Sequence, residues 1–442
     1  MSDKYINVIG AGLAGCEAAY QIAKQGIPVK LYEMKPHKKS PAHHTDDFAE
    51  LVCSNSLKAM RVGSAAGLLK EEMRRLDSLL LRCADRCTVP AGGALAVDRT
   101  LFAKYVTEEI KSMENIEVVS EEVNELPKDE ITVVATGPLT SESLCADIFS
   151  VLGGDSLSFF DAAAPIVTAD SIDPETSFFA SRYDKGDGDD YINCPLNKEE
   201  YEVFYNALIN AERAPLHDCD VADPKVYEGC MPIEVMAQRG QDTIRFGPMK
   251  PVGLRDPRTG HRPWAALQLR RENSSGTMYN LVGFQTNLKF PEQKRVFGLI
   301  PALRNAEFVR YGVMHRNTFI DSPRVLCSDY SAKSFANLFF AGQLTGVEGY
   351  MESASSGLMA GINAARRFMC RDTFTLPEDT MIGALSRYIT DESVKKFQPM
   401  GASFGLLPEL ENRSRDKKIR GEQYAERSLK SLDTFISERM YE

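Results

Sequence analysis

The chain lacks any long apolar run: across 442 residues nothing approaches the roughly 18 apolar residues that suggest a membrane span. It also lacks a charged start followed by an apolar stretch, because a strand pattern begins at Tyr5; a cytoplasmic protein without membrane attachment is expected. Cysteine spacing typical of disulfide frameworks or zinc sites is missing. Ten cysteines are scattered, and the closest pair, Cys83 and Cys87, has no partner pair. Most are expected to be small buried hydrophobes in a reducing compartment, and no metal is expected. Repeats and biased tracts are absent, and 43% hydrophobic with 26% charged residues is ordinary for folded protein. Tryptophan occurs once, at Trp264. A net charge of −10 excludes a uniformly basic surface, but not a local basic face.

What is present is a set of patterns that places a nucleotide. The length suggests two domains, one of them discontinuous. An apolar run from Tyr5 to Ile9 meets Gly10-Ala11-Gly12-Leu13-Ala14-Gly15. Apolar residues then recur at three- and four-residue steps until Gly26, and a second strand, Val29 to Tyr32, ends on Glu33. This strand–turn–helix–strand–acid order is the dinucleotide fingerprint. Gly10 makes the tight turn, Gly12 admits a pyrophosphate, and Gly15 lets helix pack on strand. The helix N-terminus faces the phosphates, and Glu33 is placed for the ribose hydroxyls.

The other end of the chain favours FAD over NAD. A buried strand, Asn337 to Ala341, leads to Gly342-Gln343, a glycine-rich turn through Gly349 and Tyr350, and a small-residue helix from about Glu352 to Phe368. The N-terminus of such a helix suits the anionic edge of a reduced flavin. A helix from Thr100 to Met113 and strands at Ile116–Val119 and Ile131–Ala135 continue the first half. Between about Asp161 and Arg304 the helix–strand alternation fades. The expected fold is α/β: a discontinuous Rossmann-like FAD-binding domain (1–160 and 305–442) with a smaller inserted α+β domain (161–304).

Several segments together resemble the TrmFO family, folate- and FAD-dependent tRNA methyltransferases within the larger GidA-type flavoproteins. They are Tyr32-Glu33-Met34-Lys35-Pro36, Glu50-Leu51-Val52-Cys53-Ser54-Asn55-Ser56, Gly92 to Arg99, Glu228 to Glu234, Phe246 to Leu254, Gly342 to Tyr350 and Phe397-Gln398-Pro399-Met400. Nearly the whole chain is covered. The late segment departs from many relatives in having Gly401 and Ser403 where asparagines are expected. The resemblance implies that a methylene from methylenetetrahydrofolate passes through FAD to C5 of the T-loop uridine of tRNA, with electrons from NADPH or NADH.

That chemistry asks for a thiol, because a thiolate adding to uracil C6 makes C5 nucleophilic. The base must also leave its stack. The resemblance implies Cys230 as the nucleophile and Cys53 as a second site cysteine, as C5 proton acceptor or as guard of the flavin adduct; the roles are exchangeable. It also implies Tyr350 and His315 as faces for the folate's pterin, with Thr286-Asn287-Leu288 lining the same cleft. Arg245, Lys250, Arg255, Arg258 and Arg262 are candidates for RNA phosphates, and Trp264 for stacking a base. A monomer is expected. A ribosomal RNA acceptor, a small-molecule flavin oxidoreductase, or an RNA-binding factor with a vestigial flavin site are the rival readings.

Overall fold

Five parallel strands form the central sheet, in the order Leu338–Phe340, Thr132–Val134, Ile6–Ile9, Val29–Tyr32, Ile116–Val119. The computed structural model describes residues 4–40, 42–153, 157–184, 190–215, 231–395 and 397–439, without the side chains of 157–161, 184, 315 and 316. The sequence expects each of these strands to within one or two residues. Their apolar runs are continuous because both faces are covered. Val8, Val133 and Phe339 enter one core, while Ile9, Val134 and Phe340, one residue on, enter another.

The Leu13–Ala23 helix connects the first two strands and lies against the late Tyr350–Phe368 helix. Their contact is backbone to backbone. A Cβ on Gly357 would stand 2.1 Å from Ala14 O, and one on Gly361 would stand 2.7 Å from Ala18 Cα. Small residues one turn apart on both helices permit this approach, and it joins the two ends of the chain.

A second sheet has the order Phe178–Phe179, Tyr191–Leu196, Ala265–Arg271, Met278–Leu281, Ile166–Thr168, Phe308–Arg310, with antiparallel pairing throughout. Its core includes Leu267, Leu269, Phe204, Phe284 and Phe297, with Phe284 packed on Phe297 at 5.3 Å between ring centroids. The Lys198–Ile209 helix on this core starts with a capping box between Asn197 and Glu200. A two-stranded ribbon, Leu157–Ala162 with Met314–Phe319, carries the chain between the sheets. Among the described residues no helix is long and apolar enough to cross a membrane.

Candidate functional site

The carboxyl ends of the parallel strands open into a cleft bounded by residues from both ends of the chain. Gly10, Ala11, Gly12, Leu13 and Ala14 form one wall, with Glu33, Gly342, Gln343 and Tyr350 around it. Gly10 has φ +97°, and a Cβ there would meet Ala135 O at 2.7 Å, so only glycine closes this turn. Gly15 abuts Gly10 O, where a Cβ would lie at 1.7 Å. A Cβ on Gly12 would meet nothing within 4 Å. The room beside Gly12 is therefore open space.

Glu33 does more than wait for a ribose. Its Oε2 accepts the Ala11 N–H at 2.9 Å and its Oε1 accepts the Lys35 N–H at 3.1 Å, holding the glycine turn against the second strand. Neither the Leu13–Ala23 helix nor the Tyr350–Phe368 helix has a side-chain cap, and Leu13, Ala14, Tyr350 and Ser353 from their first turns line the cleft. Two positive helix ends thus face one space, which suits a pyrophosphate and an anionic ring edge. Gly342 donates its N–H to Ser356 Oγ at 2.7 Å, and the Gln343 amide bonds the Glu348 carboxylate. These residues fit FAD: an open glycine, a ribose-side acid and two uncapped helix ends.

Tyr350 connects this cleft to a thiol. Its Oη accepts the backbone N–H groups of Cys53 and Ser54 at 2.8 and 3.1 Å. Cys53 is half-buried, with Sγ 3.8 Å from Ala162 O. Three arginines converge on this loop. Arg270, buried, donates to Asn55 Oδ1 at 2.9 Å and to Ser54 Oγ at 2.8 Å. Arg310 donates to Val52 O, and Arg99 pairs with buried Glu272 at 2.6 Å. Burial pushes the Arg270 and Arg310 guanidiniums down and the Glu272 carboxyl up. Three cations against one carboxylate leave this corner positive beside Cys53.

Cys230 lies outside the described residues. His315 occupies the ribbon, its backbone opposite Asp161, and its side chain lies outside the described residues. Thr286 does not line an open cleft. It is fully buried, with its hydroxyl on Glu234 Oε2 at 2.9 Å.

The basic stretch divides. Arg258 is held by both oxygens of Asp256, at 3.0 and 2.7 Å, so its charge is spent internally. Arg270, close behind them in sequence, is buried and supports the Cys53 loop. Arg255 and Arg262 are exposed, Lys250 is half-buried, and Arg245 sits over Trp264 with its guanidinium carbon 3.8 Å from the ring centroid. Sequence reasoning assigned no site role to Arg99 or Arg310. Arg99 carried a signal, since it closes the Val97-Asp98-Arg99 motif, whereas Arg310 carried none.

A family model described as "Glucose inhibited division protein A" matches residues 5–372. A protein of Acetivibrio thermocellus named methylenetetrahydrofolate--tRNA-(uracil-5-)-methyltransferase TrmFO is 62% identical over 433 residues, 98% of this chain and 99% of its own. A Lactobacillus acidophilus protein of the same name is 58% identical over 434 residues, covering 98% of each. Among solved structures, Aquifex aeolicus GidA in its form II crystal superposes with a TM-score of 0.71 at 19% identity, over 99% of this chain and 75% of that one. That likeness concerns the fold.

Proposed function

The chain belongs to the glucose-inhibited division protein A family, on its TrmFO branch, and from that premise we propose that it methylates C5 of the T-loop uridine in tRNA. FAD, when bound, supplies the passage of the methylene from methylenetetrahydrofolate and of the electrons from NADPH or NADH. The ribosomal-RNA and small-molecule readings give way, because near-identical-length relatives carry a tRNA uracil-5 methyltransferase name.

The chain's own residues divide the work. The glycine turn and Glu33 hold the adenosine half of the dinucleotide. Gly342, Gln343, Gly349 and Tyr350 hold the flavin half, with the uncapped Tyr350–Phe368 helix directed at it. Cys230 adds to C6 of the uracil, making C5 an enolate carbon. Cys53 accepts the C5 proton or guards the flavin adduct, on a loop held by Arg270 and Arg310. His315 stacks on the folate's pterin. Residues 161–304 form the side that meets RNA and folate, and the site of action is the cytoplasm.

The observation that carries this reading is Tyr350: its ring lines the dinucleotide cleft while its hydroxyl holds Cys53. The loop that carries Cys53 is thereby tied to the edge of the dinucleotide cleft, which neighbouring Val52 also lines, and this supports a role for its thiol in carbon transfer to a pyrimidine. The test supplies methylenetetrahydrofolate with a labelled methylene, NADPH and an unmodified tRNA transcript. Labelled ribothymidine is expected from the wild type and not from Cys230→Ala. Flavin reduction without label in any nucleoside would refute the methyltransferase reading.

A further inference from the structure

The Ala265–Arg271 strand has two chemically different ends. At one, Arg270 supports Ser54 and Asn55 next to Cys53. At the other, Trp264 opens into a groove that shares no lining residue with the flavin cleft. Six residues at about 3.3 Å each put the two ends roughly 20 Å apart.

The groove combines an aromatic face with cations. Arg245 lies over Trp264, and its Nε donates to Trp264 O at 3.0 Å, while Nη1 bonds Asp242 at 3.2 Å. The guanidinium is held in place before any ligand arrives. Lys198 Nζ stands 5.8 Å from the same ring centroid and 3.9 Å from a Glu202 carboxylate oxygen. Arg262, exposed, lines the groove beside them. The two acids of the groove wall are committed: Asp256 to Arg258, and Glu200 to the N–H of Asn197. On a chain of net charge −10, this is a local cationic concavity with an indole wall.

We propose that this groove is a second RNA site, holding a phosphodiester segment of the substrate at a distance from the reacting uridine. The proposal rests on the tRNA reading above and deepens it. A polyanion meets the cations of Lys198 and Arg262 together, beside the Arg245 guanidinium that Trp264 and Asp242 already hold in place. Roughly 20 Å from the Cys53 loop, the groove engages another part of the RNA than the extruded base, so it sets the register of the molecule on the enzyme.

The test measures binding of an unmodified tRNA transcript to flavin-loaded enzyme across salt concentrations, for wild type, Arg262→Glu and Trp264→Phe. Arg262 is exposed, so its replacement leaves the fold intact; Trp264→Phe keeps an aromatic ring in case full truncation unfolds the second sheet. Expected is about tenfold weaker binding for Arg262→Glu, with the slope of log affinity against log salt reduced by about 1. NADPH reduction of the flavin should keep its wild-type KM. Unchanged tRNA affinity and slope in Arg262→Glu would overturn the proposal. So would a raised KM for NADPH with RNA binding intact, which would assign the groove to dinucleotide phosphates. A wild type that binds tRNA but makes no ribothymidine would defeat the functional reading, while the salt slopes would still decide the groove.

Discussion

Tyr350 accepts two consecutive backbone N–H groups, and burial holds its phenol well above the usual tyrosine range. It therefore stays protonated and acts as a neutral post for the Cys53 loop. Tyr350→Phe would leave both N–H groups without that acceptor, a loss of about 1–3 kcal/mol. A lowered melting temperature together with reduced methyl transfer is expected; an unaltered melting curve would show the loop is held by other contacts. Glu33 carries the same kind of double duty for the glycine turn. In Glu33→Ala the Ala11 and Lys35 N–H groups lose their acceptor, and the flavin-to-protein absorbance ratio of the purified protein should fall several-fold.

The pair of helices that joins the chain's ends is the element whose geometry sets the cleft's width. Gly357 and Gly361 meet backbone atoms of the Leu13–Ala23 helix, which cannot retreat as a flexible side chain would. Gly357→Ala should separate the helices and cost at least about 1–3 kcal/mol, with loss of flavin following. Gly12 offers the opposite case on the same helix. Its Cβ position is open space and its φ is −76°, so Gly12→Ala should melt like wild type or slightly higher. Its flavin affinity should nonetheless drop, because the methyl occupies the phosphate approach. Equal flavin retention in Gly12→Ala and wild type would place the pyrophosphate elsewhere.

At the scale of the molecule, Glu72 ties together segments that are hundreds of residues apart. Its carboxylate accepts the Met381 and Ile382 N–H groups at 2.7 and 2.9 Å and the Ser428 hydroxyl at 2.6 Å. Burial pushes its carboxyl up to about 7 from 4.5, with neighbouring Asp379 adding to the rise. A carboxyl raised in the folded state binds its proton there first, so this group's contribution falls as pH rises from about 4.5 through 7. The difference amounts to ~3 kcal/mol. Glu72→Gln cannot ionise, and its stability should decline less between about pH 5 and pH 8 than that of wild type, measured by denaturant unfolding. Identical declines would assign the pH dependence to other groups.

Much of the dinucleotide half was legible because its signals are local. Strand, glycine turn, helix and acid follow one another within residues 5–33, and apolar periodicity reports which residues a helix or strand buries. The strands at Ile116–Val119 and Leu338–Phe340 were readable for the same reason. The second sheet was not: antiparallel strands such as Ala265–Arg271, buried along almost their whole length, show no alternation to read. Charge was the least legible property. Arg258, Arg262 and Arg270 look alike in a basic run, yet one is neutralised by Asp256, one faces solvent and one is buried under the Cys53 loop. The contact between Tyr350 and Cys53 spans 297 positions, and Arg99, first residue of a helix, and Arg310, at the end of a strand of the second sheet, reach the same corner. By itself the sequence determined the family, the cofactor's cradle and the presence of thiols, since each is written in neighbouring residues. Which cations surround the thiol, and which remain for RNA, only the tertiary structure decided, because burial and pairing depend on contacts between residues far apart in the chain.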